Sequence, residues 1–163
     1  FNPIFAYGQQ TFVEDAVNAG VDGVIIPDLP PEEAGEFLGF ANTKKLDMIF
    51  LLAPTSTPDR IKIVGEVSKG FIYYVSLTGT TGTKESLSKN LEEKVFAIKN
   101  KVKLPVLVGF GISGPEQAKE AGLCSDGVII GSAIVKLIES YLDPVERNLK
   151  IAEFISSIKK TLN

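Results

Sequence analysis

Leu104, Pro105, Val106, Leu107, Val108, Gly109, Phe110, Gly111, Ile112 and Ser113 make an apolar strand that runs into a glycine turn. Asp126, Gly127, Val128, Ile129, Ile130, Gly131 and Ser132 repeat the arrangement. Each copy reads as a buried parallel strand with a helix start directly behind its glycine exit. Backbone N–H groups then gather at one end of two neighbouring strands, which suits a phosphate. Either turn alone is more often a tight connection than a ligand site. The tandem is what carries the reading.

Working outward, the same alternation recurs along the chain. Apolar runs over 21–26, 47–52 and 71–76 read as strands, and helical spacing follows each of them. Pro31 is expected to start the helix after the first, with Glu32 and Glu33 near its positive end. Thr57 is a plausible cap for a helix over 58–68, with Ile61, Val64 and Val67 inward. Ahead of these, 11–19 reads as a helix stopped by Gly20, and Phe1, Asn2, Pro3 and Ile4 read as the exit of a further strand. Near the other end, short and long helices over 133–138 and 144–162 carry apolar stripes expected to face the core.

Alternation of this kind means a parallel sheet wrapped by helices, hence an α/β fold. The count is about five complete βα units plus a truncated strand exit. A closed (β/α)8 TIM barrel needs about 250 residues, so 163 residues are expected to form a single, partial barrel domain over 1–163. It would lack the first two strands and most of the third. In such a barrel the loops after the last two strands are the usual phosphate site. An open arc leaves unpaired edges, and is expected to need a self-dimer, swapped strands or the missing N-terminal piece.

Composition excludes several function classes. At 44% hydrophobic and 23% charged residues with a net charge of -3, the chain is an ordinary globular one without a basic run. No nucleic-acid partner and no membrane span is readable, since the longest apolar runs are strand length. The chain holds no histidine, which removes histidine triads and imidazole-ligated metal sites and leaves carboxylates, Tyr and Lys as proton carriers. No metal is expected. The one cysteine, Cys124, reads as a small buried hydrophobe in a reducing, cytoplasmic setting. Leu77, Thr78, Gly79, Thr80, Thr81, Gly82 and Thr83 form a polar, glycine-punctuated stretch that is either a plain solvated loop or a lid.

The segment Pro27, Asp28, Leu29, Pro30, Pro31, Glu32, Glu33 and Ala34, with 76–82, 109–113 and 131–135 in that order and spacing, resembles the tryptophan synthase alpha subunit family. Phe1 to Pro3 is similar to that family's third-strand exit, so the resemblance runs the length of the chain. It implies a barrel lyase that splits indole-3-glycerol phosphate into indole and glyceraldehyde 3-phosphate by a retro-aldol step. It also implies no cofactor in this subunit, pyridoxal phosphate belonging to the beta partner of an alpha2-beta2 tetramer.

Carried over residue by residue, the resemblance puts the phosphate on backbone N–H groups around Gly82, Gly111, Gly131 and Ser132. Indole would lie against Tyr73, Phe110 and Ile112, and Thr81 would support a catalytic aspartate from the lid. Asn2, Phe5, Asp28 and Pro30 would face the beta subunit. The family's two principal catalytic carboxylates are expected upstream of this chain, so none of the main acids is present. Asp28, at a strand exit, is the candidate substitute, although its prolines and the helix start behind it give a structural account. Two other readings stay open on the residues: a phosphate-binding barrel enzyme of the sugar-phosphate isomerase or thiamin phosphate synthase type, and a non-catalytic partner-binding module.

Overall fold

The computed structural model describes residues 1–76, 84–109 and 111–162, with the backbone alone over 84–89. Helices α1 (Asn2–Tyr7) and α2 (Gln9–Asn18) come first, followed by β1 (Gly23–Ile25) and α3 (Gly35–Lys44). Then come β2 (Asp47–Ile49), β3 (Leu51–Leu52), α4 (Pro58–Val67), β4 (Ile72–Val75) and α5 (Lys84–Lys99). The chain continues through β5 (Val106–Gly109), α6 (Pro115–Gly122), β6 (Gly127–Ile129), α7 (Ser132–Ser140) and α8 (Pro144–Leu162). All strand pairs are parallel, in the orders β1-β2 and β3-β4-β5-β6.

The expected single strand over 47–52 is two ladder segments. Met48, Phe50 and Leu52 join the packed core, whereas Ile49, also buried, stands against Gly23, so side chains alternate in direction through the junction. What changes is the partner: Asp47–Ile49 pairs with β1, and Leu51–Leu52 with β4. The Phe50 carbonyl accepts the Tyr73 N–H at 3.1 Å, which joins the two halves into one arc of five strand positions.

The core lies between the arc and its helices. Ile72, Tyr74, Val106 and Val108 point to the helix side, where Phe37, Ala41, Ile61, Val64, Val95, Ile98, Ala118, Ala121 and Ile158 meet them. Thr57 caps α4 as expected, its hydroxyl oxygen accepting the Arg60 N–H at 3.2 Å with Pro58 in the first turn. Small residues on α6 let α8 come close. A Cβ on Gly122 would fall 2.4 Å from Leu162 Cδ2.

Three expectations need correction. Asn2 and Pro3 are helical, not extended: Phe1 is the N-cap of α1, whose early proline favours a helix start, and its ring packs edge-on to Phe37 at 6.0 Å. Pro31 does not begin a helix. Pro31 restricts the residue before it away from helical angles, and 27–34 folds as successive turns, with Glu33 N–H on the Pro30 carbonyl and Ala34 N–H on that of Pro31. The helix starts at Gly35, and Glu32 turns outward to Arg60 at 2.6 Å. Finally, the stripes of α7 and α8 are largely uncovered, Ile158 being the one buried residue of the two helices. They flank β6, which ends the sheet order, so nothing described lies beyond them.

Asp126 ties the lower ends of β5 and β6. Its carboxylate accepts the Val106 N–H at 2.8 Å and pairs with Lys99 at 2.6 Å. Burial pushes the carboxyl upward, but the Lys99 ammonium and the Val106 amide outweigh it and hold it below the usual range. A depressed carboxylate stabilises the fold above its unfolded value, and that contribution is lost as pH falls through the folded value. The group is over a third exposed, so screening keeps the contribution to about 1 kcal/mol. Asp126→Asn is therefore expected to lower stability by about that amount at pH 7. In urea melts taken at decreasing pH the difference from wild type should shrink below about pH 4; a constant difference would count against the carboxylate.

Candidate functional site

Register brings the two glycine turns together. Val75 pairs with Gly109 and Gly109 with Ile129, so Gly111 and Gly131 each lie two residues past paired positions on neighbouring strands. Gly111 has φ 83°, a conformation that a Cβ disfavours. Gly131 is the N-cap of α7 and has no side chain to occupy the first-turn amides. The helix's backbone bonding begins with Ile134 and Val135 donating to the Gly131 carbonyl at 3.0 and 3.1 Å. The Ser132 and Ala133 amides precede that point and sit at the positive end of the helix dipole. Gly111, Gly131 and Ser132 are all exposed.

Tyr73 stands beside these turns on the face of β4 opposite the buried Ile72 and Tyr74. A Cβ on Gly109 would fall 2.4 Å from Tyr73 Cε2 and 2.6 Å from its Oη, so the phenol packs directly on bare backbone. Gly127 admits Leu107 and Gly23 admits Ile49 in the same way. By the alternation, Ile25, Leu51 and Ile129 share the Tyr73 face at the strand ends, making an apolar wall beside the glycine turns. Sequence reasoning missed these three. The available signal was the period of two within each apolar run, counted back from the glycine or proline that ends it. Ile112 is 6% exposed and lies within the core. The Ser76 hydroxyl donates to the Gly109 carbonyl at 3.0 Å and fixes the spacing of the β4 and β5 exits.

Asp28 is on the rim of the same end. Its side chain is 65% exposed. Exposure of this kind does not supply the burial that lifts a carboxyl toward the neutral range where acid or base work is done. Phe1, at the start of α1, lies against Asp28 in the loop after β1, so exposed Asn2 and Phe5 neighbour Asp28 and half-buried Pro30. Beneath them is a cleft of about 270 Å³ whose lining includes Asp28, Pro30, Leu51, Ser56 and Arg60. Cys124 is half-buried against the core, its thiol pushed up first by burial. Thr81, Gly82 and Phe110 lie outside the described residues.

Comparison with known proteins gives one consistent result. The family model described as tryptophan synthase alpha chain matches residues 1–163. The tryptophan synthase alpha chain of Geotalea daltonii is 49% identical over 98% of this chain, and that of Geobacter sulfurreducens 46% identical over 99%. The matches cover 60% and 61% of those relatives, so the chain spans about three fifths of their length. Among solved structures, the alpha chain from Legionella pneumophila superposes with a TM-score of 0.83 at 34% identity, covering 99% of this chain and 60% of that one. A structure of the Pyrococcus furiosus tryptophan synthase a2b2 complex superposes with a TM-score of 0.84 at 32% identity, covering 98% of this chain and 64% of that one. No described helix is long and apolar enough to cross a membrane. With its parallel arc, its paired glycine turns and a family match from first residue to last, the chain belongs to the tryptophan synthase alpha chain family.

Proposed function

We propose that this chain carries the phosphate-binding and indole-binding half of an alpha-subunit site that cleaves indole-3-glycerol phosphate to indole and glyceraldehyde 3-phosphate. The observation that carries the reading is the adjacency of the Gly111 turn and the uncapped start of α7, set beside the apolar wall of Tyr73, Leu51 and Ile129. Amides of Ser132 and Ala133 suit a dianionic phosphate, because they offer donors and a positive dipole end without a competing side chain. The wall suits the indole ring.

The reaction asks for two proton transfers. An acid must protonate the indole ring carbon that bears the side chain, and a base must take the side-chain hydroxyl proton as the C–C bond breaks and a carbonyl forms. Asp28, solvated on the rim, is matched to neither role. Residues 1–163 therefore bind and orient, and by themselves are expected to turn over negligibly. No cofactor is needed for this chemistry. In this reading pyridoxal phosphate belongs to a beta partner that docks on Asn2, Phe5, Asp28 and Pro30, and the protein works in the cytoplasm.

Ser132→Asp tests the phosphate assignment. A carboxylate in the first turn of α7 favours the helix through its dipole, so the fold should persist while a bound phosphate is repelled. Calorimetric titration with glycerol phosphate is expected to show about tenfold weaker binding, equivalent to about 1.4 kcal/mol. Unchanged affinity in the variant would place the phosphate elsewhere.

A further inference from the structure

We propose that Ser76 is a positioning residue for the phosphate site: its hydroxyl pins the Gly109 carbonyl and thereby holds the Gly111 turn in the shape that receives a phosphoryl group. The inference rests on the reading that the two glycine turns bind phosphate. What it adds is the group that keeps one of them in place.

Gly109 creates the need. The phenol of Tyr73 occupies the space where a Cβ of residue 109 would lie, at 2.4–2.7 Å, so the position must stay bare for the ring to keep its place. A bare residue is also the one that restrains its own dihedral angles least. It stands two residues before Gly111, whose φ of 83° departs from the strand, so rotation about the Gly109 backbone would carry the turn with it. Strand pairing ends at the same point. Val75 with Gly109 is the last register pair of β4 and β5, and Gly109 with Ile129 the last of β5 and β6.

Ser76 meets that need from the neighbouring strand. Its N–H and its hydroxyl both donate to the Gly109 carbonyl, each at 3.0 Å. Two donors converging from one residue fill both acceptor positions of that oxygen and fix the plane of the peptide that leaves Gly109. The N–H merely continues the ladder, and any residue except proline would supply it. Only a short side chain bearing a donor can add the second bond. Ser76 is 6% exposed and by alternation follows Ile72 and Tyr74 on the core-facing side of β4, where an apolar side chain would be the ordinary occupant. A hydroxyl buried there carries a desolvation cost that its bond to Gly109 offsets.

The test measures glycerol phosphate affinity by calorimetric titration and, in the ligand-free protein, backbone order at Gly111 by amide NMR relaxation. Ser76→Ala is expected to bind about threefold to tenfold more weakly, as loss of one hydrogen bond gives, and to lower the order at Gly111. Ser76→Thr keeps the hydroxyl and should stay within about twofold of wild type in affinity. Val64→Ala, a core truncation on α4, should lower stability and leave both readouts unchanged, which separates positioning from a general loosening of the fold. Unchanged affinity in Ser76→Ala, weaker affinity without loss of order at Gly111, or a threonine variant no better than alanine would each overturn the proposal. Ser132→Asp titrated alongside keeps the two readings apart. If Ser132→Asp weakens binding and Ser76→Ala does not, the phosphate assignment stands and the role of Ser76 falls; if Ser132→Asp leaves binding unchanged, both fall.

Discussion

Replacing Phe37 by alanine is expected to destabilise the fold by about 3–5 kcal/mol, the largest single-residue loss expected among the described residues. Phe37 is fully buried on α3 and is the largest such side chain among the described residues. Its ring meets Phe1 edge-on at 6.0 Å and Phe12 at 6.3 Å, so it links α1, α2 and α3 into one packed corner. Truncation removes that transfer energy and leaves a cavity that three short helices cannot collapse into without losing one another. Urea unfolding should show a lower midpoint with an unchanged slope, and Phe37→Leu should recover most of the loss because it preserves bulk. A loss below about 1 kcal/mol for alanine would mean that α1 and α2 are held some other way. The same corner carries Asn2 and Phe5, so the variant should also blur the surface proposed for partner docking.

That corner marks one limit of what could be read from residues alone. Periodicity placed β1 through β6 and the long helices closely, because a parallel sheet buries its strands on both faces and yields short apolar runs bounded by glycine and proline. The runs do not reveal which face is which. Ile25, Leu51 and Ile129 consequently went unrecognised, and the inner face emerges only when the burial of Met48, Phe50 and Leu52 assigns the other parity. The change of partner at Phe50 has no sequence signature, being a consequence of how β1 and β4 flank the strand. Proline misled twice, in opposite directions: Pro3 sits inside a helix start that looked extended, and Pro31 sits in a turn that looked like a helix start. The glycine turns were legible because a turn of this kind is a backbone property: Gly111 sits where φ requires its type of residue, and Gly131 is the N-cap of α7.

Gly109→Ala is expected to weaken binding of indolepropanol phosphate by tenfold to a hundredfold, about 1.4–2.8 kcal/mol, while leaving glycerol phosphate binding within about twofold. The argument is steric. The added Cβ would lie 2.4–2.7 Å from three atoms of the Tyr73 phenol, and carbon atoms do not approach so closely. Backbone cannot yield, because Gly109 is held between β4 and β6 and its carbonyl accepts from both Ser76 N–H and Ser76 Oγ at 3.0 Å. The phenol is the far end of a two-torsion side chain on the partly open inner face, so it is the part that swings. Swinging costs little stability but moves the ring across the wall proposed to hold indole, two residues from the turn proposed to hold phosphate. The pair of ligands separates the effects, since glycerol phosphate tests the turns alone. Tyr73→Ala combined with Gly109→Ala should bind no worse than Tyr73→Ala by itself, because the clash has been removed. If Gly109→Ala weakens both ligands equally, the turn has been distorted and Tyr73 is barrel packing. If it weakens neither, indole rests on another surface.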